Sequence, residues 1–461
     1  MRRAVVLALF AVLGLAGPVG AQTPAGETVI TDAPKPPPLL QGSRVSPFPC
    51  GLDGTLLDAA YQPSKGTLKA LMLFVDFSDA PGEGTDPQTL YDGFVPQSVT
   101  AFQALSRATF NLDIEPALQW VRMPKPYADY GFVSGGAPSF AIHHGYISDA
   151  IAAADPSVDF SKYSLVYVVS APGADQRSAA DVGAIAEPLH ADGVDITAAA
   201  TLGSSTAYVR NFTTLVHETG HLLGLKDLYS YESGASDFVG PWDIMSATLG
   251  NNTPMLSWSR LLLGWLGKHD FRCVTRTTTA KLTPVTDTGK PNALVVRTGL
   301  GDAFVVEART DQVGRGCTNP GGVLVYQAAA KEVNGVGPLQ LVDDTPDDQS
   351  CGTPHSGAAF IPGSGKTEYV EPHGRFVVRV LRRTGDTFDV QLEIPDTACV
   401  VPKVGHRSFR RAAARLRAAG CRPGGLTIAP GRGKKVVSAQ TPPAGTVLVK
   451  HGRVALTLKS K

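Results

Sequence analysis

The sequence predicts a multidomain α+β protein, with an α/β domain first, a β-sandwich second and a small α+β module last. Three observations carry that expectation. The chain has 461 residues, too many for one hydrophobic core and enough for about three domains. Its texture changes at Cys273, from apolar runs mixed with helical patterns to short alternating strands separated by turns. Its charge changes at Asp396. Residues 396–461 carry fourteen Lys and Arg against that one acid, a balance of +13, so the chain total of +1 leaves −12 for residues 1–395. Two parts so unlike in charge have different electrostatic partners.

Met1 to Ala21 combines Arg2 and Arg3, an apolar run from Ala4 to Ala16, and the small residues Val19-Gly-Ala21. That order is the pattern of a secretory signal peptide with its cleavage site, residues 1–21. A membrane anchor needs about 20 apolar residues, and Gly17-Pro18 interrupt this run too early. No later run is long enough, so the expectation is a secreted, extracellular protein with no membrane span. Residues 22–66 are rich in proline, including Pro34-Lys-Pro-Pro-Pro38, and read as an extended leader because proline disfavours helix and sheet alike. Cys50 lies in this leader. Six cysteines is an even number in a secreted chain, which favours a disulfide for it.

Residues 67–272 form the first domain. Leu68 to Phe77 is a nearly continuous apolar run, as expected of an interior strand, and Ser78-Asp-Ala-Pro-Gly82 stops it. After a polar loop, Val99 to Leu105 has helical character and Phe110 to Ile114 resumes strand alternation. Phe140 to Ala154 is a helix ended by Asp155-Pro156. His143 and His144 lie in it. Adjacent helical positions point about 100° apart, so this pair cannot face one metal ion and reads as polar-face or buried histidines. Tyr163 to Ser170 is β-branched and apolar on both sides, which places it at the sheet centre under helices. Asp175 to Tyr208, rich in Gly, Ala and Ser, has room for an edge strand that would pair with extended substrate.

The chemistry concentrates between Val209 and Asp227. His217 and His221 are four residues apart, a spacing that stacks both imidazoles on one helical face, with β-carbons roughly 5–6 Å apart, so that two ring nitrogens reach one metal ion. Glu218 lies between them, where a carboxylate can take a proton from water and hand it to a leaving amine. Gly224 ends the helix and lets the chain double back in a left-handed conformation, which brings Asp227 in as a third, oxygen ligand. Glu232 and Asp243 are rival third ligands without that glycine spacing. With ten His and eleven Glu in the chain, a chance His-Glu-x-x-His arises in roughly one such chain in two hundred, before the Gly and Asp are required. An alternative role for the Cys50 thiolate is to cap this metal until proteolysis removes the leader.

His217-Glu-Thr-Gly-His-Leu-Leu-Gly-Leu-Lys-Asp227-Leu-Tyr229, then Gly240-Pro-Trp-Asp-Ile-Met245-Ser, then Leu256-Ser-Trp-Ser-Arg-Leu-Leu-Leu-Gly-Trp265, resembles the immune inhibitor A family of secreted metalloproteases. The likeness runs from about Lys69 to Pro395. It implies a zinc-dependent endopeptidase of the zincin fold acting on protein or peptide substrates, with Met245 in the Met-turn beneath the zinc. Lys226 departs from the family, where proline is more usual, but it is not a ligand position. By composition alone Met245 equally suits gap-filling core. Tyr229 is a candidate hydrogen-bond donor to the tetrahedral oxyanion, set against the plainer role of a packing tyrosine.

Leu256 to Leu266, with Trp258 and Trp265, is an apolar helical segment that closes the first domain. Residues 273–395 then offer strands at Ala293–Arg297, Ala303–Glu307, Gly322–Tyr326, Arg375–Leu381 and Thr387–Glu393, the spacing of a β-sandwich. Asp343, Asp344, Asp347 and Asp348 crowd one loop, and calcium there would relieve their repulsion; a solvated acidic loop is the alternative.

Residues 396–461 open with Cys399-Val-Val-Pro-Lys-Val. Ser408 to Ala419 is a helix with Phe409, Ala412, Ala413 and Leu416 on one face, and two strands follow, Lys435–Gln440 and Val447–Leu458, joined through Thr441-Pro-Pro-Ala-Gly445. Val-Pro-Lys-Val, Ala-Ala-Gly-Cys, Gln-Thr-Pro-Pro-Ala-Gly and Val-Ala-Leu-Thr-Leu together resemble a PASTA domain. That resemblance implies binding to cell-wall peptidoglycan and brings Cys399 to Cys421. The other four cysteines allow three pairings, of which Cys317–Cys351 with Cys50–Cys273 is preferred.

The whole reads as a secreted zinc metalloendopeptidase. Three protein ligands leave a fourth position for water, and Glu218 is the general base. No Gly-rich phosphate loop and no Gly-x-Ser-x-Gly elbow backed by a helix competes, and nothing points to nucleic acid. The rival from another class is an adhesive, wall-binding protein whose zinc only stabilises the fold. Glu218 argues against it, because a purely structural site has no need of an acid beside an open position.

Overall fold

The computed structural model describes residue 50 and residues 62–132, 139–174, 178–204, 211–233, 236–246, 248, 253–310, 321–329, 334–345 and 354–461. Residues 1–21 and nearly all of 22–66 lie outside these, as do Cys317, Cys351, Asp347 and Asp348. The described chain is mixed α and β, with several sheets and few helices.

The first sheet has strand order β2-β1-β3-β7-β4. Strands β1 (Gly66–Asp76), β2 (Phe110–Arg122), β3 (Leu165–Ser170) and β7 (Ala199–Leu202) run parallel, and β4 (Ala179–Asp181) pairs antiparallel with β7 at the edge. A small hairpin, β5 (Leu189–Ala191) with β6 (Val194–Ile196), precedes β7. Strand β3 is buried at all six positions and lies third of five, where a strand apolar on both sides belongs. Leu68, Ala70, Met72 and Phe74 of β1 face one side, against α1 (Pro87–Ser106) and α3 (Asn211–Leu222). The alternate residues Leu71, Leu73 and Val75 face α2 (Phe140–Ala154). The period of two along the strand thus decides which helix each residue meets.

Two elements are longer than expected. Helix α1 starts at Pro87 rather than Val99, because Asp86 caps it by accepting from the Gln88 N–H at 3.0 Å and Pro87 takes the first helical position. Pro96 inside the helix masks that continuity in the sequence. Strand β2 runs on past Ile114 to Arg122 through Pro116, which an outer strand tolerates.

Helix α4 (Ser257–Leu262) is shorter than Leu256–Leu266, ending near Gly264 at φ 71°. Beyond it, the sandwich has one sheet of order β13-β12-β11-β10-β8 and one of order β14-β15-β16-β9. The first holds β8 (Phe271–Cys273), β10 (Ala293–Arg297), β11 (Asp302–Arg309), β12 (Gly322–Ala329) and β13 (Leu339–Leu341). The second holds β9 (Thr278–Leu282), β14 (Glu368–Val370), β15 (Val377–Thr384) and β16 (Thr387–Glu393). Leu294, Val296, Phe304 and Val306 pack inward against Phe376, Val378, Phe388 and Val390. The opposite face, Val295, Val305, Leu324 and Tyr326, joins the core formed by Met255, Trp258 and Leu261 of the first module. The change of texture at residue 273 is therefore a change of secondary structure inside one continuous core.

The C-terminal module has a three-stranded sheet of order β18-β21-β19, a short β17–β20 pair, and α5 (Phe409–Ala418). Its strands are β17 (Cys399–Val400), β18 (Arg422–Ile428), β19 (Lys435–Thr441), β20 (Val447–Leu448) and β21 (Arg453–Ser460). Ala412, Ala413 and Leu416 are buried, but Phe409, expected on the same face, is 39% exposed. Val447–Leu458 is not one strand; the chain turns at His451, φ 63°, between β20 and β21. Disulfides join Cys399 to Cys421 and Cys50 to Cys273. Cys50 is thus tied to the start of the sandwich, and it has no free thiolate with which to cap a metal.

Candidate metal centre

Helix α3 carries His217, Glu218 and His221, and tertiary packing holds it from several sides. Leu215 and Val216 are in the core, and the Thr219 hydroxyl lies 2.6 Å from the Tyr167 hydroxyl of the central strand. The chain leaves the helix through Gly224 at φ 98°, the left-handed turn expected there, and Asp227 returns to the histidines.

The side-chain atoms His217 Nε2, His221 Nε2 and Asp227 Oδ1 converge. The two Nε2 atoms are 3.0 Å apart, and Oδ1 is 3.2 Å from that of His217 and 3.1 Å from that of His221. Each ring's other nitrogen faces a backbone carbonyl: His217 Nδ1 donates to Ile244 O at 2.9 Å, and His221 Nδ1 donates to Leu225 O at 3.0 Å. A carbonyl only accepts, so both Nδ1 atoms carry a hydrogen, and the neutral form of each ring has its lone pair at Nε2, facing Asp227. Among the described residues, Asp227 Oδ1 is itself buried with no hydrogen-bond donor. Two lone pairs and a carboxylate oxygen packed this closely demand a shared positive charge. Burial works against a proton on His221, but the Asp227 carboxylate outweighs it and raises the imidazole above its ordinary value. Burial likewise opposes ionisation of Asp227, and the facing histidines prevail, holding its carboxyl well below the usual range.

A metal ion satisfies the same demand. Two imidazoles and a carboxylate are a donor set that zinc accepts, and the orphaned Oδ1 is the atom an ion would complete. Among the described residues His217, His221 and Asp227 are the group of three so placed. Of the rivals, Glu232 is exposed. Asp243 is buried and occupied: it accepts from the Met245 and Leu256 N–H groups at 3.0 and 2.9 Å and from the Ser259 hydroxyl at 2.8 Å.

Glu218 is 2% exposed on the same helix, and its charge is felt at His221, Tyr231 and Tyr167. Met245 is fully buried beneath α3. A Cβ on Gly220 would stand 2.5 Å from its sulfur, so the glycine is what lets the Met245 loop approach the helix. That loop also supplies Ile244 O to His217, and Met245 O accepts from the Leu228 N–H at 2.9 Å. The Tyr229 ring lies tilted beside His217, centroids 6.4 Å apart, and is 5% exposed.

Sequence reasoning missed Tyr231. Its hydroxyl donates to Asp227 Oδ2 at 2.5 Å, and burial beside that carboxylate pushes its phenol far above the ordinary value, so it stays a donor. It also missed Asn334, whose Oδ1 accepts from the Asp227 N–H at 3.2 Å. Tyr231 is only four residues from Asp227, but nothing in the sequence links Asp227 to a residue 107 positions away.

The other histidine pair is not a site of this kind. His143 is buried with Nε2 2.9 Å from the Thr201 hydroxyl, and His144 Nδ1 meets Asp181 at 2.8 Å. In the acidic loop, Lys366 Nζ sits 2.9 Å from Asp343 and 2.6 Å from Asp344, with His355 3.1 Å from Asp343. Asp343 and Asp344 are thus paired with a lysine and a histidine, while Asp347 and Asp348 of the same loop lie outside the described residues. No protein-family model matches the chain, and no curated protein matches it.

Proposed function

We propose that the chain is a secreted zinc-dependent metalloendopeptidase that hydrolyses peptide bonds of extracellular proteins. The observation that carries the reading is the convergence of His217 Nε2, His221 Nε2 and the donorless Asp227 Oδ1 next to a buried glutamate. His217, His221 and Asp227 would hold the ion. When bound, zinc would supply Lewis acidity toward a water molecule and a peptide carbonyl. Glu218 takes the proton from the attacking water and returns it to the leaving nitrogen, which breaks the amide bond without releasing a strong base. The carbonyls of Ile244 and Leu225 keep both rings in one tautomer throughout. Strand β4 contacts α3 at the sheet edge and supports an extended substrate pairing there. The resemblance to the zincin fold and to the immune inhibitor A family belongs to this proposal, with Met245 as the Met-turn residue and Tyr229 as oxyanion donor.

Secretion is supported by the pattern of residues 1–21 and by two disulfides, which persist in oxidising compartments. No helix among the described residues is long and apolar enough to cross a membrane.

For residues 396–461 the proposal is a PASTA-like module that binds cell-wall peptidoglycan. Its support is the +13 charge and a groove of about 460 Å³ lined by Phe409, Arg417, Arg422 and His451.

Digestion of a denatured general substrate, with and without a chelator and with zinc restored, tests the enzyme. Chelator-sensitive cleavage that returns with zinc is expected, and cleavage indifferent to both would remove the proposal. Co-sedimentation of the full chain with purified wall tests the tail. Binding is expected at low salt and should weaken as the Debye length falls below about 8 Å.

A further inference from the structure

We infer that Tyr231 and Asn334 are positioning residues for Asp227, so that the β12–β13 loop of the sandwich sets how tightly the first module holds its metal. The inference rests on the metal-centre reading above and extends it to residues outside the ligand set.

The two histidines need little help, because one helix presents both. Asp227 differs: it lies beyond the Gly224 turn, in a segment with neither helix nor strand to orient its carboxylate. Three contacts do that work. The Tyr231 hydroxyl engages Oδ2 at 2.5 Å, which leaves Oδ1 alone to face the histidines. Asn334 Oδ1 takes the Asp227 N–H at 3.2 Å and so holds the backbone of the ligand itself. Tyr231 in turn is held by the same loop, through its N–H to Gly335 O at 3.2 Å. Gly335 is at φ 71°, and a Cβ there would lie 2.1 Å from the Tyr231 ring, so the ring rests directly on that glycine. The two contacts from the sandwich loop come from adjacent residues, and both end on the segment that carries the third ligand.

A second consequence concerns coordination. With Oδ2 committed to Tyr231, Asp227 offers one oxygen rather than two. Losing the hydroxyl frees the second oxygen, so that a bound ion could be held by both carboxylate oxygens and its coordination number would rise. Cobalt(II) reports this directly, because its visible absorption weakens as coordination rises above four.

The test uses the full-length protein with Tyr231→Phe, Asn334→Ala, Asn334→Asp and Gly335→Ala, each assayed three ways: zinc affinity by competition with a chromogenic chelator, the cobalt(II) spectrum, and thermal stability of the metal-free form. Tyr231→Phe and Asn334→Ala should each weaken zinc about 10–100-fold, the range expected when a group orienting a ligand is removed. Asn334→Asp keeps the acceptor and should stay within a few-fold of the parent. Gly335→Ala touches neither ion nor ligand, yet should weaken zinc by displacing the ring. Cobalt absorption should fall in Tyr231→Phe. Parental zinc affinity and cobalt spectra in both Tyr231→Phe and Asn334→Ala would overturn the inference. So would affinity losses that merely track lost stability across all four variants. Asp227→Ala separates the two levels. If it keeps zinc, the metal-centre reading has failed; if it loses zinc while Tyr231→Phe and Asn334→Ala bind like the parent, only this inference has.

Discussion

Helices α2 and α3 each carry a pair of histidines, and among the described residues only the pair on α3 converges with a carboxylate to form a candidate centre. Four residues apart on α3, the rings overlap on one face and their Nε2 atoms come within 3.0 Å. Adjacent on α2, the rings diverge: His143 turns into the core toward Thr201, while His144 turns toward Asp181 at the sheet edge. Spacing decides whether two rings can meet. What the Nδ1 atoms find decides which lone pairs are left. On α3 both take backbone carbonyls, which turns both Nε2 atoms toward Asp227 Oδ1. On α2, His144 uses Nδ1 on a carboxylate, and the buried His143 Nδ1 has no hydrogen-bond partner among the described residues. Each pair also has an aspartate beside it, and Asp227 and Asp181 answer different needs.

The contrast is sharpest between those aspartates. Asp227→Ala removes the oxygen ligand and should strip the protein of zinc at micromolar chelator, with loss of peptidase activity. Asp181→Ala should leave one zinc per chain. Metal analysis after dialysis reads both, and zinc lost from the Asp181 variant alone would reverse the assignment.

Within α3, Glu218→Gln keeps both histidines and should retain zinc while lowering the cleavage rate 10²–10⁴-fold, the usual cost of removing a general base. Turnover at the parental rate in a folded, zinc-loaded variant would leave Glu218 without its role.

The smaller effect belongs to α2. Burial pushes His143 down to about 4 from its ordinary 6.5, so the folded protein keeps it neutral where the unfolded chain would protonate. Its contribution to stability is whole above pH 6.5, erodes as the pH falls from there toward 4, and changes no further below that. The integrated loss is on the order of 3 kcal/mol. Replacing His143 with Gln should flatten that part of the curve of unfolding free energy against pH, measured in denaturant. An unchanged slope would mean that His143 titrates normally in the fold.

Much of this was legible from residues alone, for identifiable reasons. Helix α2 and strands β10 and β16 have the bounds read from the sequence, because their signals are local: an Asp155-Pro156 stop after α2, an apolar run in β10 and strict polar–apolar alternation in β16. Strand β3 at the sheet centre followed from its two-sided hydrophobicity. Helix α1 was underestimated because Pro96 hides a helix whose start is set by Asp86 and Pro87. The split of Val447–Leu458 was hidden because a non-glycine residue, His451, adopts the left-handed turn.

The sequence by itself determined the spacing of the histidine pair, the acid between them and the glycine turn that returns Asp227. All of these depend on spacing along one helix and its end, and a helix has the same geometry wherever it sits. It also determined the charge step at Asp396, which is a matter of counting. Only the tertiary structure decided which atoms those side chains turn toward one another. The tautomers of His217 and His221 come from carbonyls of the Ile244 loop and the Leu225 turn. Asp227 is limited to one free oxygen by Tyr231, and its backbone is held by a sandwich loop 107 residues away. Hydrogen bonds of that kind form between segments brought together by a shared core, and the pattern of residues along a single helix carries no record of them.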